Sequence, residues 1–506
     1  MDILNGLEPQ KVFYYFEELC AIPHGSRNTK LISDYVVSIA KRKNLKYYQD
    51  DSNNVIIYKD ANFAGLEENG SNTSDQIKPV ILQGHLDMVN EKDEDSDFDF
   101  SCEGLRLYTE DGYVKAEGTT LGGDDGIAVA YMLALLDSDD IPHPPLECVF
   151  TVDEEIGMLG AKALDMSQLN GRTILNIDSE EEGHLLVSCA GGATATLHFP
   201  IKRRGAQGDT FEITVSGLIG GHSGVEINKG RANADILLGR VLQDIFYADD
   251  SMRVIAVKGG LKDNAIPVKA SALIISKRET ELTEKIAETL SEIKEEYGTA
   301  DPDINISLTK VGNVSNSGLY PLDEADNLSF VMAYSSLPNG VIKMSSDIEG
   351  LVQTSLNLGI METSADEITL SFSVRSSVNQ EKNDLVDELG NIVQSAGGTM
   401  TVDGEYPAWE YKEESQLRDI MTAKYQDMFG ESMVVEAIHA GVECGLFVDG
   451  LDEIDKASGA TETVVTDAVS FGPNILDIHT PKERLEIESV ERTWRFILEV
   501  LKDLMK

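Results

Sequence analysis

The sequence predicts an α/β protein: a split domain with a mainly parallel central sheet, interrupted by an inserted α+β domain built of ferredoxin-like units. Three observations carry this. Short apolar runs alternate with helical patterns over the first 187 residues, the middle of the chain reads β-α-β-β-α-β, and the first pattern resumes near residue 404. A chain of 506 residues also exceeds what one compact core usually holds. The expected bounds are therefore 1–187 and 404–506 for the split domain and 188–403 for the insert.

In the first part Ile32, Tyr35, Val36 and Ile39 recur at helical spacing, while VILQG (80–84), LECVFTV (146–152) and TILNID (173–178) read as buried strands. Each of these runs leads into an acid or a histidine, the pattern of parallel strands with a site at their carboxyl ends. The insert starts with FEITVSG (211–217), a helix over 231–246 and a strand around 254–257. KASALIISK (269–277), a helix with Leu282, Ile286, Leu290 and Ile293 on one face, and INISLTK (304–310) complete one ferredoxin-like order. A second, partial copy is expected from a helix at 326–336, strands 350–358 and 367–375, a helix 380–396 and a strand 399–403. The last part adds a helix 413–428, the strand MVVEAI (433–438) and a helix 486–504. Segment 61–77 and the acidic run Glu91–Asp99 read as solvated loops.

With 42 basic and 88 acidic residues the formal charge is −46, which argues against nucleic-acid binding and against an anionic membrane surface. MDILNGLEPQ lacks a basic stretch followed by an apolar core, and no apolar run is long enough for a bilayer, so a cytoplasmic protein is expected. Cys20, Cys102, Cys148, Cys189 and Cys444 are scattered and outside CxxC spacing; reduced thiols are expected rather than a disulfide framework or a thiolate zinc site.

Five local sequences concentrate chemistry: GHLDMV (84–89), GTTLGGDDGIAVA (118–130), TVDEEIGMLGA (151–161), LNIDSEE (175–181) and DIHTPKE (477–483). Neutral imidazole plus carboxylate oxygen is a donor set for zinc, manganese or cobalt. Each alone has an ordinary explanation. His85-Leu86-Asp87 could be a surface or core pair, though on a strand its two side chains share a face and Asp87 can orient the His85 ring. Gly122–Gly126 could be a turn and helix cap. Asp153-Glu154-Glu155 could be a charged helix start, and Asp178 another cap.

Their ordered co-occurrence resembles the M20 metallopeptidase family over essentially the whole chain, and within it the aminoacyl-histidine dipeptidase branch. The resemblance implies a split catalytic domain with a lid, two divalent metal ions (zinc first, with cobalt or manganese alternatives) and hydrolysis of dipeptides. Asp124 would bridge the metals, with His85 and Asp178 completing one site and Glu155 and His479 the other. Glu154 would be the general base for a water held between the metals, and Asp87 would support His85. In GLIGGHSGVEINKGRANA (217–234) the resemblance makes His222 the stabiliser of the oxyanion. DNAIP (263–267), SVRSS (373–377) and AIHAGVECG (437–445) would place Asn264, Arg375, His439 and Gly441 near a small peptide substrate, and the role of Glu443 is left open. Asp125 stands where many relatives have Asn. A doubled lid would present His222 within one chain, where simpler members borrow it from a partner; a homodimer is compatible with either.

Other functions account for only part of the pattern. Paired acids also serve glycoside hydrolysis, which would leave His85, His222 and His479 without purpose. A non-catalytic binding homologue should have lost Glu154 or a ligand. Within the family the competitors are an amidohydrolase of N-acyl amino acids and a tripeptide aminopeptidase. His24, His143, His184, His198 and Trp409 read as packing or surface residues.

Overall fold

Residues Ile127 to Leu136 are buried on every side, and a segment apolar all round becomes a helix only at the centre of a large core. In the computed structural model, which describes residues 3–64, 77–313, 320–459 and 465–506, this segment is the central helix Gly123–Asp137. The chain divides into two units. The first comprises Met1–Ser188, Tyr411–Ala437 and Val442–Lys506; the second comprises Cys189–Glu410 and Ile438–Gly441. The expected return at residue 404 falls inside the strand Thr399–Tyr406, which pairs with Gly191–Pro200 and so keeps the chain in the second unit.

The first unit is built on an eight-stranded sheet in the order Lys46–Gln49, Val55–Lys59, Leu146–Thr151, Val80–His85, Thr173–Asn176, Asp467–Ser470, His184–Cys189, Val434–Ile438. The run from Leu146–Thr151 through Asp467–Ser470 is parallel. Three of those strands are the runs picked out by apolarity, and as neighbours their carboxyl ends share one edge of the sheet. The central helix packs on Val80–His85 and on the helices Gln10–Cys20 and Lys30–Lys43. The helices Gln416–Phe429 and Ile487–Asp503 lie where the sequence puts them, within a few residues at each end. Helix Cys444–Ser458 was not anticipated.

The second unit confirms the duplication and corrects its order. Its sheet runs Asn305–Asn313, Asp209–Ser216, Ala270–Ser276, Arg253–Gly260, Val352–Thr363, Glu367–Ser376, Gly191–Pro200, Thr399–Tyr406, with Gly340–Met344 beside Val352–Thr363. The first four strands form one complete ferredoxin-like unit with helices Ala234–Ala248 and Glu279–Tyr297. The last four form another, with helices Glu324–Ser335 and Asn379–Ser395. The strand missing from the second copy is Gly191–Pro200, which precedes the first copy in the chain. One unit is thus nested inside the other. The halves join where Gly259 and Gly260 pair with Met361 and Ile360. Gly260 has φ of +64°, and a Cβ there would run into the Gly359 carbonyl, so this seam requires glycine.

Residues 65–76 of the expected loop lie outside the described residues. Glu91–Asp97 is largely exposed, as expected. The five cysteines form no disulfide. Among the described residues no helix is long and apolar enough to cross a membrane.

Asp235 yields a stability prediction for the second unit. It is fully buried against Gly259, its carboxyl oxygens make no hydrogen bond, and burial pushes its pKa up to about 8. A carboxyl raised on folding contributes stability below its unfolded pKa of about 3.9 and loses it as pH rises through the folded value. Asp235→Ala should therefore raise stability at pH 8 by on the order of 1–3 kcal/mol. Urea unfolding of both proteins should show this gain shrinking as the pH falls to 4.

Candidate active site

His85 closes its strand, Asp178 follows Thr173–Asn176, and Glu154 and Glu155 follow Leu146–Thr151, so one edge of the parallel sheet delivers four candidate residues. Asp124 enters from the start of the central helix, where neither it nor Asp125 has helical backbone angles. His479 comes from the loop before Arg484–Glu486, with φ of +60°. Asp153, beside the glutamate pair, is also left-handed at +54°. Such conformations are uncommon for residues with a Cβ and cluster at functional sites.

The ligand atoms converge in two groups that share Asp124. Its Oδ1 lies 3.1 Å from His85 Nε2, which is 3.5 Å from Asp178 Oδ1. Its Oδ2 lies 3.2 Å from His479 Nε2, which is 3.1 Å from Glu155 Oε2. One carboxylate therefore faces both groups with different oxygens. Metal–ligand bonds of about 2.0–2.1 Å in a tetrahedron place neighbouring donors about 3.3 Å apart, which these separations match. The donors also fit chemically: imidazole nitrogen and carboxylate oxygen suit a divalent cation of the zinc, cobalt or manganese class.

The electrostatics are those of a cation site. Burial opposes ionisation of Asp124, but His479 and His85 outweigh it and hold its carboxyl well below the usual range. Burial lifts Asp178 to about 6 and raises Glu154 well above an ordinary glutamate. Asp124 and Glu155 raise His479 to about 11.

Asp87 has a wider role than orienting an imidazole. His85 Nδ1 is 2.9 Å from the Asp87 main-chain carbonyl, while the carboxylate is 3.6 Å away. That carboxylate accepts the Glu154 N–H at 3.1 Å and the Ser26 hydroxyl at 2.8 Å. One residue thus fixes the histidine through its backbone and the neighbouring glutamate through its side chain.

The second unit gathers its own polar cluster. Gly221–His222 pairs with Ala265–Ile266, and Ser223 N–H donates to the Asn264 carbonyl at 2.9 Å. His222 Nδ1 accepts Gly224 N–H at 3.0 Å, so the neutral ring carries its proton on Nε2. Burial and Arg375 lower the His222 pKa, which keeps the ring neutral. His439 is buried with Nε2 2.7 Å from Ser355 Oγ; burial and then Arg375 take its pKa down to about 4. Ser355 stands opposite Arg375 in the sheet, and Gly441 is half-buried in the same short segment as His439.

The sequence profile described as peptidase family M20/M25/M40 matches residues 81–503. The chain belongs to this family. The cytosol non-specific dipeptidase of Escherichia coli (strain K12) is 35% identical over 509 aligned residues, covering 100% of this chain and 99% of that one. The crystal structure of aminoacylhistidine dipeptidase from Vibrio alginolyticus superposes with a TM-score of 0.86 at 33% identity, covering 99% of each chain. A tripeptidase from Staphylococcus aureus shares the fold, with a TM-score of 0.56 at 16% identity and 99% of each chain covered.

For an M20 chain, the structure gives Glu483 and Asp125 partners that the motifs alone do not show, and it buries His24 as a packing residue, in line with its sequence reading. Glu483 is nearly fully buried and its carboxylate accepts from the N–H groups of Leu121, Gly122, Gly123 and Asp124 at 2.8, 3.1, 2.7 and 3.4 Å. Burial, then Asp124, pushes its pKa up to about 7. The DIHTPKE motif contained it, but its partners are some 360 residues away. Asp125 accepts the His85 N–H at 3.1 Å, and burial and Asp178 raise its carboxyl well above the usual range. His24 is buried under the turn, beside Gly122 with φ of +66°.

Glu483→Ala should leave four N–H groups without their acceptor and loosen the turn that aims Asp124. Metal affinity is expected to fall about 10–100-fold, the usual cost of losing a group that orients a ligand. Chelator competition on the purified variant measures this, and an unchanged affinity would contradict the role assigned to Glu483.

Proposed function

We propose that this M20 peptidase is a cytoplasmic dipeptidase dependent on two divalent cations, zinc first among them. The observation that carries the reading is the division of the Asp124 oxygens between two donor groups. The relatives named as dipeptidases, which match over the full chain, support the substrate class. The substrates would be free dipeptides, those ending in histidine included.

Bound cations would supply Lewis-acid polarisation of the scissile carbonyl and bring the pKa of a water towards about 7. The holding residues would be His85, Asp124 and Asp178 for one cation and Asp124, Glu155 and His479 for the other. Glu154 takes the proton of the attacking water and returns it to the leaving amine; its raised pKa suits both steps. Asp87 keeps Glu154 in place through its backbone N–H. His222, with its proton on Nε2, donates to the oxyanion as the carbonyl becomes tetrahedral. The Arg375 fork suits the substrate's terminal carboxylate, with Asn264, His439 and the Gly441 backbone as further contacts.

The test is a panel of dipeptides, including carnosine and Gly-His, with tripeptides and N-acyl amino acids alongside, on metal-depleted and reconstituted protein. Wild type should cleave dipeptides only when reconstituted. Glu154→Ala should retain metal and lose about 10²–10⁴-fold in kcat, and His222→Ala about 10²–10³-fold. A reconstituted wild type that cleaves only tripeptides or N-acyl amino acids would overturn the dipeptidase assignment within the family.

A further inference from the structure

Beneath the metal-site residues lies a second layer that the proposed chemistry does not use. Gln83 is two residues before His85 and so shares its face of the strand. Asn176 stands in the same relation to Asp178, and Thr151 ends the strand that leads into Glu154 and Glu155. The register sets Gln83 opposite Asn176 and His85 opposite Thr151. Their side chains are linked. Asn176 Nδ2 donates to Gln83 Oε1 at 2.6 Å, and Gln83 Nε2 donates to Thr151 Oγ1 at 3.1 Å.

Both also converge on one distant residue. Glu443 Oε2 accepts from Gln83 Nε2 at 2.6 Å and from Thr151 Oγ1 at 2.7 Å. All four residues have 0% exposure. Glu443 immediately precedes the helix Cys444–Ser458, so it ties the returning C-terminal segment to two adjacent strands directly and, through Gln83, to the strand of Asn176.

We infer that Glu443, with Gln83, Thr151 and Asn176, is a positioning layer that registers the three strand ends carrying His85, Asp178 and the Glu154–Glu155 pair. An apolar residue would fill the same space at lower desolvation cost. What an apolar contact lacks is direction: it lets neighbouring strand ends shift by fractions of an ångström, whereas metal and base geometry must be held within about 0.5 Å. A connected set of buried hydrogen bonds supplies that constraint. Burial takes the Glu443 carboxyl up to about 8, so the group is a neutral acid at neutral pH. Its other oxygen, Oε1, makes no hydrogen bond within the protein. A glutamine can therefore present its carbonyl oxygen to Gln83 and Thr151 and forfeit nothing at the other atom.

The inference rests on the metal-peptidase reading, and its test separates the two. Wild type, Glu443→Gln, Glu443→Met and Thr151→Val are loaded with Co²⁺, and visible absorption, chelator competition and dipeptide kinetics are recorded. Glu443→Met should shift the Co²⁺ spectrum, weaken metal binding about 10–100-fold and lower kcat with little change in KM. Glu443→Gln should restore all three. A native spectrum and affinity in Glu443→Met would overturn the inference, as would a Glu443→Gln protein as impaired as Glu443→Met. Should Glu443→Met fail to fold, Thr151→Val, which removes only a hydroxyl, decides by the same spectrum and affinity. A wild type that binds Co²⁺ yet cleaves no dipeptide sinks the substrate assignment and leaves the spectroscopic arms standing.

Discussion

The shared carboxylate of Asp124 is the constraint on which the first unit is organised. Its two oxygens point at separate donor pairs, and the pairs are drawn from distant parts of the chain. His85 and Asp178 come from neighbouring parallel strands, Glu155 from the next strand over, and His479 from a loop 355 residues away from Asp124. The central helix supplies the remaining requirement. Its buried length anchors the turn rigidly, while its first residues depart from helical geometry so that Asp124 can face the site.

Concentrating acids in this way carries an electrostatic cost. Asp125, Glu154, Glu443 and Glu483 all have pKa values raised first by burial. Three of them also hold distant groups: Asp125 accepts from the His85 backbone, Glu483 gathers four N–H groups, and Glu443 accepts from Gln83 and Thr151. Cations bound at Asp124 would relieve the same repulsion. Affinity for metal and the raised proton affinity of the surrounding acids are thus two consequences of one charge density.

The second unit solves a different problem. Its sheet is two ferredoxin-like units joined at a glycine seam, and its polar cluster has neutral histidines beside an arginine. In His222 the Gly224 N–H at Nδ1 settles the tautomer and so fixes the direction of the Nε2 donor. In the proposed mechanism such a donor would serve a carbonyl oxygen that becomes negative during reaction, and Arg375 a carboxylate that is negative throughout.

The sequence by itself determined most of the secondary elements of both units, because apolar periodicity is local, while the expected ligand set came from the resemblance of the ordered motifs to the M20 family. Apolar periodicity reports which face of a segment is buried, and the strand-then-acid pattern places His85, Glu155 and Asp178 without knowledge of their partners. The helix at Cys444–Ser458 and the strand Gly191–Pro200 are not among the predicted elements, the strand because its companions follow a whole inserted unit later. Tertiary structure alone decided which oxygen of Asp124 faces which histidine, that the Asp87 carboxylate serves Glu154, and that Glu443 and Glu483 bond to groups about 360 residues away. Hydrogen bonds between remote residues leave no periodic trace in a single chain. Their length and direction are set only when the sheet brings three strand ends and a returning helix to the same few ångströms.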